Sequence, residues 1–119
     1  MPGIYRIANE FLSVDVSSLG AEMQALDTSD GRSLLWNGDA AFWSGRSPIL
    51  FPIVGKAPDD AVEIEGKSYP MNQHGFARRA EFALAASSDT MCRYELAASE
   101  ATKAIYPFDF VLAVEHSLE

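Results

Sequence analysis

The stretch Leu12-Ser13-Val14-Asp15-Val16-Ser17-Ser18-Leu19-Gly20-Ala21-Glu22-Met23-Gln24-Ala25-Leu26 decides the fold class. In an extended chain, successive side chains point to opposite faces, so Leu12, Val14 and Val16 share one face while Ser13, Asp15 and Ser17 share the other. Ser17-Ser18-Leu19-Gly20 turns the chain, and Ala21 to Leu26 reads as the partner strand. The same period of two recurs along the sequence, and helical periodicity is nearly absent.

Working outward, Asp27 to Arg32 is a turn cluster, Ser33 to Trp36 a short strand, and Asn37-Gly38-Asp39 a second turn. Ala40 to Trp43 fits one helical turn capped by Asp39. Pro48-Ile49-Leu50-Phe51-Pro52 is apolar enough for burial, but neither proline can donate to a ladder, so the segment is expected extended, crossing the sheet or at its edge. Val62 to Tyr69 reads as a hairpin with Gly66-Lys67 as its two-residue loop. Glu81 to Ala86 and Met91 to Ala97 read as another, joined across Ser87 to Thr90. Tyr106-Pro107 opens the last strand, in which Phe110, Leu112, Val114 and His116 alternate with Asp109, Val111, Ala113 and Glu115. Many short strands with regular turns predict an all-β antiparallel sandwich.

The totals exclude several function classes. A chain of 119 residues with 48% apolar residues is one domain at most, with enough for a core. No run approaches the ~18 apolar residues of a membrane span. The start, Met1 to Arg6, lacks the basic end and long apolar stretch of a secretory signal. A single cysteine, Cys92, rules out an internal disulfide and fits a reducing compartment, so a cytoplasmic location is expected. With 9 Lys+Arg against 17 Asp+Glu the net charge is −8, which does not suit a nucleic-acid backbone. No nucleic-acid or membrane partner is expected. Two histidines and one cysteine offer no metal-ligand spacing, so no metal is expected. His116 reads as structural and Cys92 as a small buried hydrophobe.

Against this acidic background, residues 44 to 80 hold Arg46, Lys56, Lys67, Arg78 and Arg79 against Asp59, Asp60, Glu63 and Glu65. Polar groups also interrupt apolar sequence here, a local inconsistency of the kind that tends to mark function. Arg46 offers five fixed donors, while Gln73 and a neutral His74 each donate and accept, a set suited to a neutral polyol. Trp43, Phe51 and Phe76 fit the flat apolar walls of a small-molecule site. Structural readings fit the same residues: His74 as a hydrogen-bonded residue beside Gly75, Arg46 paired with a carboxylate, the aromatics as core, Arg78-Arg79 as a solvated pair.

Gly20-Ala21-Glu22, the series Leu35-Trp36, Gly38-Asp39 and Phe42-Trp43, the run Arg46 to Gly55, Gln73-His74-Gly75-Phe76-Ala77-Arg78, and Tyr106-Pro107-Phe108 resemble, in order, the aldose 1-epimerase-like (galactose mutarotase) family. The likeness is nearest to its branch encoded with lactose and tagatose genes. It covers nearly the whole chain. It implies part of a large antiparallel supersandwich with a sugar site on a concave sheet face. It also implies interconversion of α and β anomers by general acid-base catalysis, without metal or cofactor. By position, His74 matches the first active-site histidine, and Arg46 and Arg78 match arginines that hold the sugar or its phosphate. Gln73 is expected to line the site.

The family's second histidine and its catalytic glutamate lie beyond the matched region, and neither His116 nor Glu119 replaces them. A closed supersandwich takes about 200–250 residues. Residues 1–119 are therefore read as an N-terminal portion of such a domain, inactive alone, with self-association expected through uncovered sheet edges. A monosaccharide or sugar phosphate is the expected partner. A non-catalytic sugar-binding module and a purely structural domain are the alternative readings.

Overall fold

The structure, a computed structural model, describes residues 3–119. Met1 and Pro2, part of the stretch read above for a signal, lie outside the described residues. The first sheet has the order β1-β2-β3, with β1 Ile4–Ala8, β2 Leu12–Ser17 and β3 Met23–Thr28, all antiparallel. Asn9 closes the first turn, its side-chain oxygen accepting the N–H groups of Phe11 and Leu12, both at 2.9 Å. Register places Tyr5 opposite Val16, Ile7 opposite Val14, and Leu26 opposite Val14. The predicted inward face of β2 is thus the buried one, with Val14 and Val16 in the core. On the outer face Arg6 and Asp15 pair directly, in two bonds of 2.6 and 2.9 Å. That guanidinium holds the Asp15 carboxyl below the usual carboxylate range.

The third sheet, β6-β7-β8, consists of β6 Ala83–Ser87, β7 Met91–Ala97 and β8 Val111–Ser117. Cys92 lies opposite His116, Tyr94 opposite Val114 and Leu96 opposite Leu112, which gives this sheet one apolar face. The two apolar faces share one core: Ile7, Val14 and Val16 from the first sheet meet Cys92 and Tyr94 from the third, with Ala21, Ala77 and Phe82 between them. Burial pushes the Cys92 thiol and the Tyr94 phenol up. Tyr5 Oη also donates to the Ser88 carbonyl at 3.0 Å, and Ala8 N–H to the Asp89 carbonyl at 2.8 Å. The expected all-β antiparallel architecture is what forms.

A two-stranded sheet, β4 Ala61–Ile64 with β5 Lys67–Pro70, completes the strands. Its loop is Glu65-Gly66, one residue earlier than the sequence suggested, because Lys67 pairs with Ile64. Glu65 and Gly66 have φ of 51° and 80°, the left-handed pair that a tight hairpin turn requires.

Three other expectations shift. Ser33 to Trp36 is not a strand, since only Ser33 bridges, to Asp27; Trp36 is instead anchored by its indole N–H to the Trp43 carbonyl at 2.7 Å. β1 was not foreseen: only five residues long, it carries apolar residues on both faces, Ile4 and Ala8 on one and Tyr5 and Ile7 on the other, which hides the alternation. A one-turn helix, α1 Glu100–Lys103, forms where Ser99 and Thr102 cap each other reciprocally.

The segments carrying the basic and aromatic residues are tied together at two places. Phe51 and Gly75 form a parallel bridge, and the Phe51 carbonyl accepts the N–H groups of Phe76 and Ala77 at 2.9 and 3.2 Å. Gly20 N–H donates to the Ala80 carbonyl at 2.7 Å, and Phe82 N–H to the Ser18 carbonyl at 2.8 Å. Phe51, Phe76, Tyr106 and Phe110 then pack as a cluster of edge-on and tilted rings, with ring centroids 5.3 to 6.3 Å apart. Such pairs each contribute about 0.5–1.5 kcal/mol beyond the area they bury.

Candidate ligand site

Arg46 is placed by Glu22, at the entry to β3. One Glu22 carboxylate oxygen accepts the backbone N–H groups of both Arg46 (3.0 Å) and Ser47 (2.9 Å). Ser47 Oγ donates to the Met23 carbonyl at 2.9 Å. The guanidinium is held in turn by a bulge in β3. Register steps from Asp15–Ala25 to Val16–Met23, so Gln24 is the inserted residue, and its carbonyl accepts from Arg46 Nη1 at 2.6 Å. Beneath the guanidinium lies Gly38, where an added Cβ would fall 2.4 Å from Arg46 Nε. Arg46 thus pairs with a backbone carbonyl, and its side chain borders a hollow of about 180 Å³ with Trp36, Leu35 and Asp27.

Gln73, His74 and Arg78 come from one loop. His74 has φ 64° and Gly75 φ 77°, two successive left-handed residues that reverse the chain between Asn72 and Phe76. Gly75 has no alternative: its Cβ would lie 2.0 Å from the Phe51 carbonyl oxygen. Gly55 N–H donates to His74 Nδ1, and His74 N–H donates to the Gly55 carbonyl, both at 2.8 Å. The Gln73 amide lies 3.5 Å from His74 Nε2. Arg78 Nη2 donates to the Gln73 carbonyl at 3.1 Å, while its buried Nε has no hydrogen-bond partner among the described residues.

Arg78 and Arg79 border two adjoining hollows. One, about 250 Å³, is completed by Glu22, Trp43, Ser44 and Pro48. The other, about 420 Å³, is completed by Lys56, Asp60, Asn72 and Gln73. Lys56 pairs with Asp60, leaving the two arginines to set the sign of this hollow.

The structure therefore gathers Gln73, His74 and Arg78 in one loop and gives Gln73 and Arg78 a common hollow. Arg46 borders a different one, and His74 borders none of these three. The link between the Arg46 and Arg78 regions is Glu22, which grips the Arg46 backbone and lines an Arg78 hollow. Of the aromatic walls expected, Trp43 lines the Glu22 hollow, whereas Phe51 and Phe76 are packing residues. His116 donates from Nε2 to the Ala21 carbonyl at 3.0 Å, which fits a structural role.

Sequence reasoning missed Glu22 and Gly55 as site residues. Both act on or through backbone groups far along the chain, and the only signal was their place in the quoted motifs.

The aldose 1-epimerase family model matches residues 3–119. This chain belongs to the aldose 1-epimerase family. Among curated proteins, it is 29% identical over 117 residues to protein LacX of Lactococcus lactis subsp. lactis, covering 94% of this chain and 39% of LacX. A galactose mutarotase related enzyme from Lactobacillus acidophilus superposes with a TM-score of 0.96 at 33% identity, over 98% of this chain and 39% of that one. A galactose mutarotase-like protein from Lactobacillus casei gives 0.95 at 36% identity, over 98% and 40%. The epimerase-family chain thus spans about two fifths of the length of these relatives. The sheets and the two motif loops described above all fall inside the matched span.

Proposed function

We propose that this chain contributes the sugar-holding loops for interconversion of the α and β anomers of an aldose. In that reaction a base removes the C1 hydroxyl proton as the bond between C1 and the ring oxygen breaks. An acid delivers a proton to the ring oxygen, the aldehyde rotates, and closure reverses the transfers. Each proton-transfer group is worth ~10²–10⁴-fold. On this reading His74 orients and polarises the sugar from Nε2, Gln73 and Arg78 hold hydroxyls, and Arg46 lines the adjoining surface. The observation that carries the reading is the Gln73–Arg78 loop, whose imidazole is held by Gly55 and whose Gln73 and Arg78 line a hollow shared with Arg79. Membership of the epimerase family supports it.

The 119-residue chain supplies neither proton-transfer group on this reading, so it binds but does not catalyse. The test has two arms. Titration with galactose or glucose, followed by amide and side-chain chemical shifts, is expected to move His74 and Trp43. Polarimetry on freshly dissolved α-galactose is expected to give the buffer rate. Unmoved shifts would refute sugar binding, and a rate well above buffer, lost in His74→Ala, would refute the absence of catalysis.

A phosphosugar is the second reading, favoured by the Arg78-Arg79 hollow and by the unpartnered buried Nε of Arg78. Binding of galactose 6-phosphate tighter than galactose, and weakened by salt, distinguishes it from the neutral sugar.

A further inference from the structure

We infer that the backbone of Gly55 fixes His74 in the neutral tautomer protonated at Nε2, making that side chain a dedicated hydrogen-bond donor rather than a proton acceptor. The inference deepens the reading of His74 given above and rests on it for its functional meaning, but its geometry stands alone. A backbone N–H can only donate. The 2.8 Å contact from Gly55 N–H to His74 Nδ1 therefore requires a lone pair on Nδ1, and a neutral imidazole then carries its proton on Nε2. The reciprocal bond from His74 N–H to the Gly55 carbonyl, also 2.8 Å, closes a clasp between two loops 19 residues apart in sequence. The ring can neither flip nor exchange tautomers without breaking one arm of it.

The backbone of Gly55 shows that the clasp is built. Gly55 holds φ 92°, which L side chains rarely adopt, and this turns both its N–H and its carbonyl to His74. A Cβ added there would meet nothing within 4 Å, so space does not demand glycine; backbone conformation does. The Gln73 amide nitrogen lies 3.5 Å from Nε2. Two donors cannot share that contact, so the Nε2–H tautomer requires the amide to turn its oxygen toward the ring, and a sugar oxygen arriving at that nitrogen then replaces an acceptor with an acceptor.

The chemical consequence is a division of labour. A histidine with no lone pair at its ligand-facing nitrogen cannot remove the C1 hydroxyl proton. It can polarise an acceptor oxygen of the sugar throughout ring opening and closure. Gly55 is then a positioning residue, acting on the ligand only through His74.

The experiment is long-range ¹H–¹⁵N correlation on the sugar-free chain, uniformly ¹⁵N-labelled, at neutral pH. His74 is assigned by the loss of its signals in His74→Asn, a variant suited to the left-handed backbone. The expected spectrum shows an unprotonated, hydrogen-bonded Nδ1 and a protonated Nε2 for His74. The opposite tautomer, or a pair of averaged shifts like those of free imidazole, would overturn the inference. In Gly55→Ala, which strains the clasp without a clash, the His74 pattern is expected to move toward averaging while His116 stays put. An unchanged His74 pattern in a folded Gly55→Ala also overturns it, and if that variant does not fold the wild-type spectrum decides. Because no sugar is present, failure here is distinct from failure of the sugar titration.

Discussion

Replacing Gly75 by Ala separates the two demands that the site loop makes on its glycines, and Gly31→Ala is the control. Both glycines have positive φ, 77° and 91°, so each substitution places an L residue in a conformation disfavoured by about 1–2 kcal/mol. Reduced freedom of the unfolded chain returns about 0.4–1 kcal/mol in each case. At Gly31 nothing lies within 4 Å of the new Cβ, and the net loss is therefore about 0–1.6 kcal/mol. At Gly75 the new Cβ would sit 2.0 Å from the Phe51 carbonyl oxygen and 2.4 Å from its carbon. Those are backbone atoms, already accepting from Phe76 and Ala77, and they cannot swing aside as a side chain can. Forcing them apart costs a further ~1–3 kcal/mol by analogy with overpacked cores. Gly75→Ala should thus be less stable than Gly31→Ala by about 1–3 kcal/mol, read as a difference in urea midpoint at constant slope. It should also broaden or shift the amide signals of His74 and Phe51 together. Equal midpoints for the two variants would refute the claim that the Phe51–Gly75 bridge joins the two motif loops.

Glu22→Ala removes an acceptor shared by two backbone N–H groups and is expected to cost about 1–3 kcal/mol, with shifts in the Arg46 and Ser47 amides that Glu22→Gln partly restores. Ile7→Ala, at a site with 0% exposure, is expected to cost about 2–5 kcal/mol by thermal or urea unfolding. Burial raises the Cys92 thiol, so the folded chain binds that proton more tightly than the unfolded one. Its stabilising effect is full below the ordinary thiol range and declines as pH rises through the folded value. The measurable outcome is slow labelling by a thiol reagent at mildly alkaline pH, accelerating in urea. Asp15 shifts the opposite way, its carboxyl lowered chiefly by the hydrogen bond from Arg6. Its contribution is present above the usual Asp range and is lost as pH falls through the folded value; Asp15→Asn should flatten the acid limb of a pH–stability curve.

The fold class was legible because period-two alternation in β2, β7 and β8 coincides with burial: Val14, Val16, Cys92 and Tyr94 are buried and, apart from Ser17 at the end of β2, their neighbours are less so. Hairpin phase was legible only to within a residue. Gly66 marks a left-handed position, but composition does not say whether it comes first or second in the turn, and Glu65 accepts φ 51° beside it. Trp36 was misplaced in a strand because its partner is the Trp43 carbonyl, a backbone group without side-chain signature. The same reason hid Glu22, whose acceptors' partners are the amides of Arg46 and Ser47.

That pattern explains why the candidate site was half visible. Side chains that line a hollow, such as Gln73 and Arg78, break local apolar sequence and attract notice. The groups that aim them are mostly main chain: the bulged Gln24 carbonyl for Arg46, the Gly55 peptide for His74, the Gln73 carbonyl for Arg78. A main-chain partner holds direction well because it moves only with its sheet or loop, and those are locked here through the Phe51–Gly75 bridge and the Gly20–Ala80 contact. Substitutions that keep each charged side chain but alter a glycine are therefore expected to disturb sugar binding as much as loss of the side chain itself. Gly38→Ala, whose Cβ would meet Arg46 Nε at 2.4 Å, makes the point testable. It should displace the guanidinium from the Gln24 carbonyl and shift the Gln24 and Arg46 signals much as Arg46→Ala does. A Gly38→Ala spectrum indistinguishable from wild type around those residues would show that Arg46 is aimed by something other than its backbone bed.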